Sequence, residues 1–390
     1  MGVNNLQITD IYQILNDIHQ QATGQTSIAP VNTSDFVSMA TSTLAAGTDA
    51  VYGAMMDVIG QTVFAVRPYS RKFDLTRTAS EFGAIRRKIS YVDKPIPTGE
   101  QAFHPVDGTA VDHYQINKAD VLEMRFFGSA VYQDWVTIFE DQIKTAFEGP
   151  EQLGSFLTAQ TTHMSNKWEQ WLESENRAAV ANFIGAKNAS SNGLIHLLTE
   201  YNTLTGASPA LTAQDIYKPQ YLGDFFRFVR ARINTISRMM SERSIEYQVN
   251  VTGKEIARHT PVDMQKMYIR ADALDIIDAM VNTTTYHDEP LAYADVEGVS
   301  YWQSIQDPDQ IDVTPSVMGT NGAVVVGAQQ QVSDIFGVIF DKDAIASNVY
   351  QYAVRNTPFN ARGLYYNTFL TARLQYTNDL TEKGVVLLLD

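Results

Sequence analysis

The sequence predicts an α+β fold, and three patterns in its 390 residues carry that prediction. A single apolar stripe at helical spacing runs through Leu153, Phe156, Leu157, Met164, Trp168, Trp171, Leu172, Ala179 and Phe183. Helix and strand signals then alternate from Tyr221 to Phe340. Near the end, Leu364, Tyr366, Thr368, Leu370, Ala372, Leu374 and Tyr376 fall on one face at a period of two, with Asn367, Arg373 and Gln375 on the other. This length is a prior for two or three domains with real cores.

The long stripe opens at Gly149-Pro150, where proline suits the first helical position. Read as continuous to Gly185, it makes a helix of ~54 Å at ~1.5 Å per residue, long against a mean of about 11–12 residues. Trp135, Ile138/Phe139, Ile143 and Phe147 give a second helical pattern just before it. Tyr221–Ser241 is a third, with Phe225, Phe228/Val229, Ile233 and Ile236 inward. Lys266–Ile269, Gly298–Trp302, Ala323–Val326 and Ile335–Phe340 read as strands, with Ala273–Val281 as a helix among them. Val385–Leu389 is an unbroken apolar run, the mark of a strand buried on both faces. It is expected to complete the domain that the long helix begins.

Charge divides the chain unevenly. Residues 1–66 hold no Lys or Arg and five Asp, with one amphipathic helix at Ile8, Ile11, Leu15 and Ile18. Thr23–Gly53 is rich in Ser, Thr, Ala and Gly and reads as an arm that must dock on its own body or on a neighbour. From Arg67 to Lys94, eight basic residues meet three acids, a net of +5 in a chain of −15, which leaves −20 elsewhere. Ala84–Val92 and Asp120–Phe127 read as paired strands around a Pro- and Gly-bearing connection at 93–117, too long for an ordinary loop. A lone two-stranded hairpin is marginal in water. Its basic residues Arg86, Arg87, Lys88 and Lys94 are therefore expected to lie against acids of an adjacent subunit. The organisation is a 1–66 arm, a 67–128 hairpin with flanking strands, and a domain from 129–218 and 341–390 holding the long helix. A second domain spans 219–340.

Function classes fall away in turn. A net charge of −15 argues against sequence readout of nucleic acid. There is no cysteine for disulfides or thiolate chemistry. Met1–Gln20 lacks the basic start and apolar run of a signal peptide, and no stretch reaches the ~18 apolar residues of a membrane span. The seven histidines are dispersed, and HExxH, GxSxG, GxGxxG and GxxxxGK[ST] patterns are absent. Asp307, Asp309 and Asp312 form the one carboxylate cluster that invites an ion, without the Gly and Glu of a calcium loop. They read as a polar turn. No catalytic, cofactor-binding or metal residues are assigned, and the chain is not read as an enzyme.

The order of acidic arm, basic hairpin, long helix, α/β insertion and closing sheet resembles the Hong Kong 97-type major capsid proteins of tailed bacteriophages. Local stretches also look like phage major head proteins: Asn356-Thr-Pro-Phe-Asn360, Arg362-Gly-Leu-Tyr-Tyr366 and Gln375–Asp390. Asp57–Thr62, Arg67–Phe73, Ile143–Phe147 and Phe340–Asp343 echo them more weakly. In that fold the segments are the N-arm, the E-loop, the P-domain with its spine helix, and the A-domain. The resemblance implies a structural subunit of an icosahedral or prolate head, built as hexamers and pentamers around double-stranded DNA that it contacts without sequence preference. It also implies a scaffolding protein encoded separately, a portal protein, an optional decoration protein, no cofactor and no membrane. The place of action would be the virion, after assembly in the host bacterial cytoplasm. The sequence leaves no length for the immunoglobulin-like addition of some relatives. An encapsulin-type compartment shell of the same fold is the alternative, and an enzyme with a distributed acidic site is the remote one.

Overall fold

The computed structural model describes residues 8–47, 50–55, 73–79, 85–92, 114, 118, 120–127, 130–284, 295–319 and 321–390. Most of the expected hairpin connection, with Lys94, lies outside them, as do Arg67, Arg71 and Lys72.

Two sheets share one helix. The four-stranded sheet runs in the order β1 (Thr76–Ala79), β13 (Ile345–Asn356), β14 (Tyr365–Asn378) and β4 (Ala130–Phe139). The five-stranded sheet runs β5 (Leu194–His196), β15 (Gly384–Leu388), β12 (Ile335–Asp341), β6 (Gln265–Arg270) and β7 (Val296–Val299). Three two-stranded sheets complete the described strands: β2 (Ile85–Tyr91) with β3 (Val121–Phe127), β8 (Ile311–Val313) with β11 (Gln330–Val332), and β9 (Ser316–Met318) with β10 (Val324–Val326). Gly322, at φ +79°, lies in the tight turn between β9 and β10.

The spine helix is continuous over Pro150–Ser190, about 61 Å at ~1.5 Å per residue. Extended Gly149 caps its start and Pro150 occupies the first turn. Its apolar stripe meets a different partner along each third. Leu153 joins the N-terminal helices, and Trp168, Trp171 and Leu172 cover β4, β13 and β14 through Tyr132, Tyr352, Ala372 and Leu374. Val180, Phe183 and Ile184 then pack on β12 and β15. Midway, the Arg177 guanidinium is bonded to Glu173 and stacked between the Phe73 ring at 4.5 Å and the Tyr301 ring at 3.8 Å.

β15 is buried on both faces, as its apolar run predicts. Val386 and Leu388 face the spine helix, while Val385, Leu387 and Leu389 face helix Pro219–Ser241 with Phe225, Val229, Ile233 and Ile236. It pairs, however, with β12 and β5 and not with β14. The five-stranded sheet thus takes strands from both sides of the boundaries drawn at 218 and 340. At its centre a Cβ on Gly337 would lie 2.9 Å from the Tyr268 carbonyl of neighbouring β6. Gly337→Ala is therefore expected to cost about 1–3 kcal/mol by overpacking, read as a lower urea midpoint.

Three expectations change. Trp135 and Ile138 lie on strand β4, and of the Trp135–Phe147 pattern only Glu140–Ala146 is helical. The alternation of Tyr132, Asp134, Val136 and Ile138 against exposed Val131, Gln133, Trp135, Thr137 and Phe139 overrides the helical spacing. Within the Ser-, Thr-, Ala- and Gly-rich arm, helix Thr33–Ala45 buries Phe36 and Ala40 against helix Ile8–Thr23. It docks on its own body, where Tyr52 stacks on Tyr366 at 3.8 Å. Gln375 is buried, because its amide donates to the Phe126 carbonyl of β3 at 2.5 Å.

Candidate assembly interface

The β2–β3 register divides the basic run between two faces. Arg86 lies opposite Phe126, Lys88 opposite Met124 and Ser90 opposite Leu122, while Arg87 faces Arg125 and Ile89 faces Glu123. With a period of two, Arg86, Lys88 and Ser90 point one way and Arg87, Ile89 and Tyr91 the other. The first face lies on the body of the same chain. The second is open: the Arg87 side chain is 60% exposed, and Ile89 and Tyr91 are also exposed.

The ground under the first face is the turn between β14 and β15. Its sequence, Asp379-Leu-Thr-Glu-Lys383, reads as a solvated loop, yet every one of these residues is buried. Lys88 Nζ donates to Asp379 Oδ2 at 2.5 Å and to Glu382 Oε1. Arg258 donates to the same Glu382 at 2.8 Å, to Thr381 Oγ1 at 3.3 Å and to Ser90 Oγ of the hairpin at 3.2 Å. Thr381 caps Asp379 at 2.6 Å, and Lys383 donates to the Glu242 carbonyl at 2.6 Å. Two cations thus face two carboxylates whose side chains are almost wholly out of water. Burial lifts the Glu382 carboxyl above its ordinary range, against the pull of Lys88 and Arg258.

This node joins the hairpin, the closing turn and the Arg258 loop of the second domain. Lys254 adds a bond to the Val121 carbonyl at 3.2 Å. Lys88 therefore meets acids of its own chain. Arg86 also turns inward, 3.9 Å from Asp343. Arg87 is on the open face, with Arg125 beside it and Glu123 at 3.9 Å and 2.8 Å from the two guanidinium groups.

The arrangement anchors the base of the hairpin, β2 and β3, on the body of the chain. Asp307 and Asp309 lie in a bend and a turn, whereas Asp312 lies on β8, where it accepts from the Gln329 amide at 2.7 Å and from Gln331 at 3.2 Å. Among the described residues no three His, Asp or Glu side chains group to hold a metal ion, and no helix is long and apolar enough to cross a membrane.

The family comparison decides the identity: residues 11–387 match the Phi29-like phage major capsid proteins. The chain belongs to that family. The capsid protein matches no curated protein in sequence. Its fold is similar to that of a chain in the capsid of Staphylococcus phage Andhra, at a TM-score of 0.52 and 9% identity, over 82% of this chain and 87% of that one. It is also similar to a chain of native bacteriophage P68, from a structure of its head fiber and inner core protein gp22. There the TM-score is 0.54 at 9% identity, over 80% and 83% of the two chains. At that identity the likeness is one of fold, the Hong Kong 97-type capsid fold of tailed phages. The capsid protein is a structural subunit of a phage head, and family membership favours this over the compartment shell.

Proposed function

We propose that the capsid protein builds its shell as hexamers and pentamers, with each hairpin anchored on its own body and laid across a neighbour. The observation that carries this reading is the two-faced hairpin base. Lys88 and Ser90 tie one face to buried Asp379, Glu382 and Arg258, which leaves Arg87, Ile89, Tyr91 and Arg125 open on the other. Arg87 and Lys94 are the proposed contacts to an adjacent subunit, and Arg86 and Lys88 set the angle at which the arm leaves the body. Unlike charge on hairpin and body fixes register more than it adds affinity.

The segments act as N-arm, E-loop, P-domain and A-domain, with the spine helix bridging the last two. The role is structural and not enzymatic. A separately encoded scaffolding protein, a portal protein and, on some heads, a decoration protein complete the assembly in the host cytoplasm. Packaged double-stranded DNA is contacted without sequence preference, and the net charge of −15 keeps that contact weak.

The reversal Arg87→Glu with Arg125→Glu tests the contact, because both side chains are on the open face. Exposed substitutions of this kind change stability by about ±0.5 kcal/mol. Electron microscopy is expected to show at least a tenfold loss of closed shells from the double variant, co-expressed with scaffold, while the free subunit keeps its urea midpoint. Normal particles in normal yield would sink the proposal.

A further inference from the structure

Among the described residues, the spine helix covers one side of the four-stranded sheet, and on the other side β3 reaches only the Gln375 end of β14. Toward the spine helix, Tyr132 packs on Trp168 and Trp171, Lys167 donates to Asp134 at 3.2 Å, and Ile138 is fully buried. On the other side Trp135 is 61% exposed, Val131 56% and Phe139 49%. Trp135 sits directly opposite Phe369, and Phe139 opposite Tyr365 with ring centroids 6.0 Å apart. Trp135, Phe139, Tyr365 and Phe369, with Gln133, Thr137 and Asn367, line an open groove of about 580 Å³. Among the described residues no strand pairs with the outer edge of β4, so a ten-residue edge offers unpaired backbone groups beside the groove. Long, apolar, unprotected edges take up further strands.

Charge narrows the occupant. The open faces of β4, β13 and β14 present Arg355, aligned with Phe369 and Trp135, and Arg373, aligned with Val131, and no carboxylate. The basic segment from Arg67 to Lys94, net +5, is repelled here, whereas the remaining chain is net −20. Size narrows it further. Strand geometry gives a patch roughly 33 Å by ~14 Å, about 450 Å². That exceeds an ordinary scattered apolar surface but falls short of the ~800 Å² per partner of a stable independent complex. Such a patch holds a partner only with the help of other contacts, as copies in a closed shell do.

We propose that this aromatic face and the β4 edge seat an extended, acid-bearing segment of a second copy of the capsid protein. The contact is separate from that of the hairpin, and it rests on the shell role of the family. It explains how Trp135 and Phe139 stand in water in the free subunit: they are closed over only on assembly.

The test places a benzoylphenylalanine photo-cross-linker at position 135 of the full chain and irradiates assembled particles. The expected product runs at twice the chain mass, with the attachment mapped by mass spectrometry to an Asp- or Glu-bearing peptide outside residues 67–128. Attachment to the hairpin, to another protein or to DNA overturns the inference, as does the absence of any adduct from intact particles. If the probe at 135 itself blocks assembly, Gln133 on the same face carries it. In parallel, Arg355→Glu with Arg373→Glu is expected to cut particle yield at least tenfold while the free subunit keeps its urea midpoint; unchanged yield overturns the inference. Failure of the unsubstituted chain to form particles with scaffold would instead strike the shell reading itself.

Discussion

Truncation of Lys88 to alanine is expected to loosen the hairpin from the body of the subunit. The ammonium group is the link between β2 and the buried Asp379 and Glu382 carboxylates; without it Glu382 keeps Arg258, and Asp379 keeps the Thr381 hydroxyl. Breaking a fully buried pair costs about 3–5 kcal/mol, because the partner charge stays out of water. Water reaches a quarter of the Lys88 side chain, so the expected cost is roughly 2–3 kcal/mol. It falls locally. Amide exchange in Ile85–Tyr91 and Val121–Phe127 should quicken by one to two orders of magnitude, at ~1.4 kcal/mol per factor of ten. Lys88→Met combined with Glu382→Gln should recover part of the loss, since removing both charges relieves the unpaired carboxylate. Equal exchange rates in wild type and Lys88→Ala would show that the node does not hold the hairpin.

Lys187→Met is expected to stabilise the subunit at neutral pH and to flatten its stability between pH 7 and 9. Lys187 is fully buried near the end of the spine helix, where its Nζ donates to the Tyr247 carbonyl at 2.8 Å. Burial pushes its ammonium down to about 7, against the pull of Asp379. In the unfolded chain the group titrates near its ordinary ~10.4. Between those values the unfolded chain holds a proton that the folded chain has released, so this group makes stability rise with pH. Below about 7 both states are charged and the full burial penalty remains. The slope approaches ~1.4 kcal/mol per pH unit, or about 2 kcal/mol from pH 7 to 9. Methionine fills a similar volume without the charge, and the Tyr247 carbonyl keeps a donor in Gly384 N at 2.9 Å. Calorimetry at pH 6, 7, 8 and 9 should show the variant ahead by several degrees at neutral pH, with the gap closing as pH rises. Parallel curves would refute the assignment.

These two lysines mark where sequence reading reaches its limit. The spine helix was legible because one apolar stripe keeps its period from Leu153 to Phe183, too long for coincidence, although the helix runs past the expected end at Gly185 to Ser190. β14 was legible because its alternation is nearly strict, and β15 because five successive apolar residues leave no side for water. β4 was missed because Trp135, Ile138, Ile143 and Phe147 fit a helical period by chance. Its density of β-branched and aromatic residues, Val131, Tyr132, Trp135, Val136, Thr137, Ile138 and Phe139, was the available signal. The anchor node had no such signal. Lys88 and Asp379 are 291 positions apart, and a turn of Asp, Thr, Glu and Lys reads as solvated until other elements close over it.

The basic hairpin, central to the reading of function, shows the division most clearly. The sequence by itself determined that two strands flank a long connection, that their residues alternate between two faces, and that positive charge concentrates there. Tertiary structure alone decided which face meets the body, and so separated Lys88, bound to its own Asp379 and Glu382, from Arg87, left to the open side. The physical reason is that a strand's period fixes which side chains share a face, whereas the choice between core and partner depends on what distant segments bring against it.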